Sequence, residues 1–358
     1  MCRNFYKKIK LLILFLLICG ASGLFAAEKY YWENPKVITS GDARFPVTVN
    51  TEESSYIFWQ EVIPSKNQIW LSCRVYKDNN TYSENLRFAG PFQYSGEVPD
   101  IFSVTESKGT ILIAVLSDKM KLSLFLSDDN CSSFSRSDIA TDNYFIAPRI
   151  YTCADGSFRL FASVSQGDSF YIYSAESKDG KKWSALKLFQ PCSQMRNPFV
   201  PFQINAFGGD LVVFQAYYSS SVTGRLSYQL FSTFTADGGS SWTNPVLLTD
   251  QASHAYNEKR DFANFQNQRP YLYNYSGKTY LVWERMESVS ASIWSAEVGQ
   301  NGLVSRSSIK VSDRGNSSRA SLFEYNSQLY ALWFDTRTGS EQIYMAQKAG
   351  NDWEPITV

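Results

Sequence analysis

The sequence predicts an all-β chain, a six-bladed β-propeller with four antiparallel strands per blade. Three observations predict it. A turn of Asp with Gly or Asn, followed by an aromatic, recurs roughly every 50 residues, around Asp78, Asp129, Asp179 and Asp237. A proline opens an apolar strand at Pro46, Pro99, Pro148, Pro198 and Pro270, and a sixth copy carries Ala320 in the same place. Further short apolar and aromatic runs lie between these markers, and no segment of residues 28–358 has sustained helical periodicity.

The marker segments read as first strands, because proline costs least at the start of a strand, where its missing N–H is not needed. The second strands read Tyr56-Ile-Phe-Trp59, Ile111-Leu-Ile-Ala114, Phe158-Arg-Leu-Phe161, Leu211-Val-Val-Phe214, Tyr280-Leu-Val-Trp283 and Tyr330-Ala-Leu-Trp333. Third strands include Ile69-Trp-Leu, Tyr171-Ile-Tyr, Ile293-Trp-Ser and Ile343-Tyr-Met, and a short fourth strand such as Pro245-Val-Leu-Leu248 follows each Asp turn. Six copies of four short strands are the pattern of a propeller. The 25 Phe, 22 Tyr and 9 Trp suit half-buried pleated surfaces. Closure of the ring is ambiguous. Trp32-Glu-Asn-Pro35-Lys-Val-Ile-Thr39 and Trp353-Glu-Pro355-Ile-Thr357 both look like fourth strands. The N-terminal one is expected to complete the last blade, with the C-terminal one as its rival.

Residues 1–27 differ from the rest. Arg3, Lys7, Lys8 and Lys10 precede the apolar run Leu11 to Ile18, and small residues follow to Ala27. This reads as a secretory signal cut near Gly23 or Ala26, so the chain is expected to be exported to the periplasm, cell envelope or medium. An uncleaved anchor is the alternative, although the run is shorter than the ~20 residues that span a bilayer. Lipidation at Cys19 is a third reading. Export would permit disulfides among Cys73, Cys131, Cys153 and Cys192, but spacing cannot choose the pairing. Lysine and arginine total 34, equal to aspartate and glutamate, which argues against nucleic-acid or anionic-membrane binding through bulk charge. With His254 the only histidine and no paired-cysteine motif, no metal site and no cofactor is expected.

The turns Ser177-Lys-Asp179-Gly180-Lys-Lys-Trp183 and Thr235-Ala-Asp237-Gly238-Gly-Ser-Ser-Trp242 resemble the Asp-box of the sialidase-like (BNR repeat) β-propeller superfamily. Ser127-Asp-Asp129-Asn130-Cys-Ser-Ser-Phe134 is a weaker copy. The resemblance runs through the repeat over residues 36–358 and implies one propeller domain after the signal, over residues 28–358. It places each box between third and fourth strands, with a structural role for the Asp, Gly and Trp. It identifies a fold and does not by itself establish an activity.

Alternating strand direction puts the Asp turns on one face of the ring. Two insertions, Tyr217 to Gly224 and Asp250 to Gln268, fall on the other. Long loops on a rigid scaffold often carry function. On that face Arg44, Arg149, Arg196, Arg269 and Arg319 flank the first-strand markers, while the second repeat has Glu97 and Asp100 instead. Second strands end there with Glu61, Glu284, Arg285, Asp335 and Arg337. Guanidinium forks bind carboxylate or sulfate through paired hydrogen bonds, so a funnel of these groups would suit an acidic sugar. The bland alternative is that the arginines tie neighbouring blades together.

The superfamily's enzymes use an arginine triad, an Asp acid/base and a Tyr nucleophile assisted by Glu. Arg44-Phe45-Pro46 resembles the family's Arg-Ile-Pro, and Arg269 and Arg319 could supply further carboxylate contacts. The nucleophile position reads Arg319-Ala320-Ser321, and repeat four carries Gln203 and Asn205 where the assisting Glu is sought. Tyr256 from the insertion, Glu61, Glu284 and Asp335 remain catalytic candidates. The expected function is binding of an acidic glycan or of an envelope or extracellular protein. A divergent sialidase-type glycosidase and a structural envelope module are the alternatives.

Overall fold

The computed structural model of the chain describes residues 37–356, apart from 52–53, 78–80, 119, 141–143, 220–225, 250–264, 288–289 and 306–307. Among the described residues 26 strands form six antiparallel sheets in chain order, the blades of a propeller. Blade one holds β1 (Asp42–Asn50), β2 (Ser55–Ile63), β3 (Gln68–Lys77), β4 (Thr81–Tyr82) and β5 (Leu86–Gln93). Blade two holds β6 (Phe102–Ser107), β7 (Thr110–Asp118), β8 (Lys121–Ser127) and β9 (Ser135–Ala140). Blade three holds β10 (Tyr144–Thr152), β11 (Phe158–Gln166), β12 (Ser169–Ser177) and β13 (Lys187–Leu188). Blade four holds β14 (Arg196–Ala206), β15 (Gly209–Ser219), β16 (Leu226–Thr235) and β17 (Val246–Leu247). Blade five holds β18 (Gln266–Tyr275), β19 (Lys278–Glu287), β20 (Ser290–Gly299), β21 (Gly302–Leu303) and β22 (Ile309–Lys310). Blade six holds β23 (Ser317–Tyr325), β24 (Gln328–Asp335), β25 (Gln342–Ala349) and β26 (Asp352–Ile356). In blades one and five the fourth strand is broken into two pieces, both paired to the third.

Blade six is completed by β26, which pairs with β25 from Met345↔Ile356 to Ala349↔Asp352. The expectation that the N-terminal strand completes the last blade is therefore corrected. The fourth-strand place in blade six is taken by the C-terminal copy, and residues 32–36 lie outside the described residues. The signal, Cys19, Asp78, His254 and Tyr256 lie outside them too.

Each blade is apolar on both faces, so adjacent blades bury side chains between them. One cluster joins blades one and two through Phe58, Leu71, Ile113 and Phe125. Others join blades two and three (Leu124, Leu160), three and four (Phe161, Phe214), four and five (Leu230, Trp283), and five and six (Val282, Trp333). Among the described residues, no such cluster joins blade six to blade one. The four thiols are free and buried. Cys73 and Cys131 share the core between blades one and two, where Tyr56 Oη donates to Asn130 Oδ1 at 3.0 Å. Cys153 sits in hydrogen-bond reach of Gln203, and Cys192 packs between blades three and four.

The Asp turns connect third to fourth strands and are held from within. Asp179 Oδ1 accepts from Lys181 N and Lys182 N at 2.8 and 2.9 Å, and Trp183 Nε1 donates to Gly180 O at 3.0 Å. Gly180 has φ +71°, and a Cβ there would come within 2.8 Å of Leu126 in the neighbouring blade. Asp129 and Asp237 repeat the arrangement through Ser133 and Ser241. Arg159, fully buried, locks blade three onto the next turn. Its Nη1 donates to Asp210 Oδ2 at 3.0 Å and its Nη2 to Gly238 O at 3.0 Å, and its guanidinium lies 4.8 Å from the Trp242 ring centre.

Candidate functional site

The first strands carry a device that the sequence does not announce. In β1, β14, β18 and β23 the register slips at one comparable point. There Phe45, Asn197, Arg269 and Arg319 take left-handed backbone, with φ of 53°, 51°, 51° and 52°. Such residues occupy bulges, which bend an edge strand and re-aim its side chains. Pro46, Pro198, Pro270 and Ala320 each follow the bulge. The markers Pro46, Pro148, Pro198 and Pro270 therefore sit inside their strands rather than opening them, which an edge strand tolerates. Pro99 lies before β6.

The start of the next first strand is gripped by the blade before in three places, two of them at a bulge. Gln60, Gln215 and Glu284 occupy the same place in β2, β15 and β19, just after Trp59, Phe214 and Trp283. Gln60 Oε1 accepts from Ile101 N at 2.8 Å, and Gln215 Oε1 from Arg269 N at 3.1 Å. Glu284 Oε1 accepts from Arg319 N at 2.6 Å. Glu284, 2% exposed, also accepts from Arg269 Nη1 at 3.1 and 3.2 Å and from Gln268 Nε2 at 3.3 Å. A buried carboxylate is tolerable there because every contact is a donor.

The arginines at this mouth are not equivalent. Arg44 is exposed and holds Asp42 with two parallel hydrogen bonds of 3.0 Å, which keeps the Asp42 carboxyl below the usual carboxylate range. Arg149 donates to Asp100 at 3.1 Å and to Pro148 O at 2.8 Å, so it ties blade three to blade two. Arg196 and Arg319 are exposed, and among the described residues no guanidinium partner of either is found. Arg269 has its side chain 55% exposed while touching Glu284.

Arg285 corrects the expectation of an open arginine at the end of β19. It is fully buried, 3.9 Å over the Trp294 ring, with Nε donating to Asn267 Oδ1 at 3.2 Å. Strand alternation turns it to the face opposite Glu284. Arg337 is likewise engaged, donating to Asp335, Asp313 and Arg314 O and lying 4.1 Å over Tyr344.

Two candidate carboxylates are structural in their contacts. Glu61 is gripped by Arg87 and accepts from Ser72 Oγ at 3.1 Å, and the Arg87 contact holds its carboxyl below the usual range. Burial acts to raise the Asp335 carboxyl, but hydrogen bonds from Arg337 and Ser317 outweigh it and the net shift is downward. Neither is held protonated near neutral pH, as a general acid must be.

At the seam of blades six and one the structure brings Arg44, Phe45, Tyr94, Glu97 and Arg319 around one cleft of about 600 Å³. β1 and β23 each contribute an arginine to it. The sequence reading named the two arginines but missed Tyr94, Asp42, and the grips of Gln60 and Gln215. The shared position after the second-strand aromatic was the available signal for the grips. Among the described residues no group of histidine, cysteine or acidic side chains is placed to hold a metal ion.

No protein-family model matches the chain, and no curated protein sequence matches it. Solved structures match by fold. The polysaccharide lyase Uly1 aligns at 13% identity and TM-score 0.56, over 93% of this chain and 84% of that one. The α-L-arabinanase of Penicillium chrysogenum, complexed with arabinobiose, aligns at 13% identity and TM-score 0.50, over 72% and 80%. The Trypanosoma rangeli sialidase in complex with the inhibitor DANA aligns at 11% identity and TM-score 0.50, over 86% of this chain but only 55% of its own. The chain therefore shares the six-bladed propeller fold of sialidases and arabinanases, at an identity that speaks for the fold alone.

Proposed function

We propose that this chain is an exported propeller, of Asp-box type, that binds an acidic glycan at the mouth of its channel. One observation carries the reading. Arg319, exposed and without a guanidinium partner among the described residues, lines one cleft with Arg44 and the Tyr94 ring. An unpaired guanidinium beside an aromatic offers a carboxylate two parallel hydrogen bonds and offers a sugar ring an apolar face. Glu97 on the same cleft can accept from sugar hydroxyls. Arg44 already spends its fork on Asp42, so it contributes charge and shape more than a free donor pair. The grip of Glu284 on Arg319 N fixes the backbone that aims Arg319, which lowers the ordering cost of binding.

Binding is favoured over hydrolysis because Glu61 and Asp335, each held ionised by an arginine, are not available as the general acid. The test is a glycan array probed with the purified full chain and with Arg319→Ala, alongside a screen for released sugar. Retention of uronate- or sialate-bearing glycans by the parent chain, lost in Arg319→Ala, is the expected result. Preference for neutral glycans, or equal retention by the variant, would refute the reading. Release of sugar would replace it with a glycosidase.

A further inference from the structure

The exposed arginines do not sit at one point. Arg196, Arg269, Arg319 and Arg44 lie on the first strands of blades four, five, six and one, four consecutive blades of the ring. The arc stops at blades two and three, where Asp100 and Glu97 stand and Arg149 is tied to Asp100.

At the blade-four end of this arc the sheet builds a row. Arg196 on β14 is the cross-strand partner of Tyr217 on β15, and Tyr217 is the partner of Tyr228 on β16. Directly opposed residues share a sheet face with Cβ atoms about 5 Å apart. The two tyrosine rings stack at 4.2 Å between centres with planes 23° apart. Tyr217 lies two residues beyond Gln215, so alternation puts it on the face from which Gln215 reaches Arg269 N. The row is therefore one pleat away from the next arginine of the arc. Stacking fixes the rings at little further entropy cost, and the register sets them on the strands next to Arg196, whose guanidinium pairs with none of the described residues. Burial, and then the neighbouring Tyr217, push the Tyr228 phenol up to about 12, so it stays protonated at any physiological pH.

We infer that Arg196, Tyr217 and Tyr228 form a second acidic-sugar subsite, so that the mouth holds an anionic polysaccharide laid along blades four to one rather than one terminal sugar. This rests on the acidic-glycan reading above and adds the polymer to it. The chemistry shared by candidate ligands is a chain with acidic groups at regular intervals. The acid can be a carboxylate, as in a polyuronate, or a sulfate ester. Linking two subsites raises affinity because the second contact is intramolecular.

The experiment is titration calorimetry of the full chain with galacturonic acid, with a galacturonate hexamer, and with a sulfated chondroitin hexamer. Parent, Arg196→Ala, Tyr217→Phe, Tyr217→Ala and Arg319→Ala proteins are compared. Arg196 is exposed, so its truncation leaves the core intact. Expected is a hexamer bound at least about tenfold more tightly than the monosaccharide, with that gain lost in Arg196→Ala and Tyr217→Ala. Tyr217→Phe, which keeps the stack, should lose less. Monosaccharide binding should depend on Arg319 and be unchanged in Arg196→Ala. A gain with the galacturonate hexamer identifies a carboxylate; a gain with the chondroitin hexamer, which carries carboxylates too, identifies a sulfate only if desulfation abolishes it. A hexamer no tighter than the monosaccharide, or a gain that survives Arg196→Ala, overturns the second subsite while leaving the Arg319 cleft standing. Loss of hexamer binding in Arg196→Ala with none in Arg319→Ala overturns the cleft and keeps the row. Failure of all three probes to bind overturns both.

Discussion

Replacing Glu284 separates the charge at the channel mouth from the grip that builds it. Its equivalents in blades one and four are glutamines that accept from the next blade's backbone in the same way. In Glu284→Gln the amide oxygen can keep the Arg319 N–H, now at 2.6 Å. The amide nitrogen would face Gln268, whose own amide can turn to present its oxygen. What is lost is the ion pair to Arg269, whose side chain is 55% exposed and returns to water; such pairs contribute about 0–1 kcal/mol. Glu284→Ala removes every acceptor and leaves the Arg319 N–H without one. An orphaned buried donor costs about 1–3 kcal/mol, and the loss of packed methylenes adds to it. The alanine variant should therefore unfold at clearly lower urea than the parent, by roughly 3 kcal/mol, and the glutamine variant within about 1 kcal/mol of it. Equilibrium urea unfolding followed by tryptophan fluorescence reads both. Equal losses in the two variants would mean that the carboxylate charge, not the acceptor, holds the blade. No loss in alanine would mean that the grip is idle.

Other consequences follow from the blade contacts. Arg159→Met should destabilise by about 3–5 kcal/mol in the same assay, because it strands the buried Asp210 carboxylate, 1% exposed, without its cation. Acid should unfold the chain between roughly pH 4 and pH 2. Hydrogen bonds from Ser133 and Ser241 draw Asp129 and Asp237 down to about 2, so the unfolded chain takes up protons first as pH falls. Stability is then flat above about pH 4.5 and declines below it, which circular dichroism melts against pH will show. Burial pushes the Cys153 thiol up to about 11 and the Cys192 thiol well above its ordinary value. Both should resist alkylation at pH 8 in the native chain and react on unfolding, read by mass spectrometry of the peptides that carry them.

The repeat was legible because its signals are local. Asp, Gly and the hydroxyl residues of the turns at Asp129, Asp179 and Asp237 satisfy one another within a few residues, and alternation of apolar residues marks the strands. Closure was not legible. The segments at Trp32 and Trp353 carry the same strand chemistry, and it is the hairpin of the second with β25 that fills the place in blade six. The site was legible in residue type but not in arrangement. Position relative to the proline marker treats Arg44, Arg149, Arg196, Arg269 and Arg319 alike. The left-handed bulge makes Arg269 and Arg319 the bulge residues themselves, and Arg44 and Arg196 their predecessors. Arg285, adjacent to Glu284 in sequence, is turned into the packed interior, because a one-residue step in a strand reverses the face.

The most direct measurement of the central claim is a crystal structure of the full chain soaked with glucuronic acid. The account predicts the carboxylate on the Arg319 guanidinium, with the sugar against Tyr94 at the seam of blades six and one. Glucuronic acid bound instead in the groove beside Trp242 on the Asp-turn side, with the Arg319 cleft empty, would contradict it.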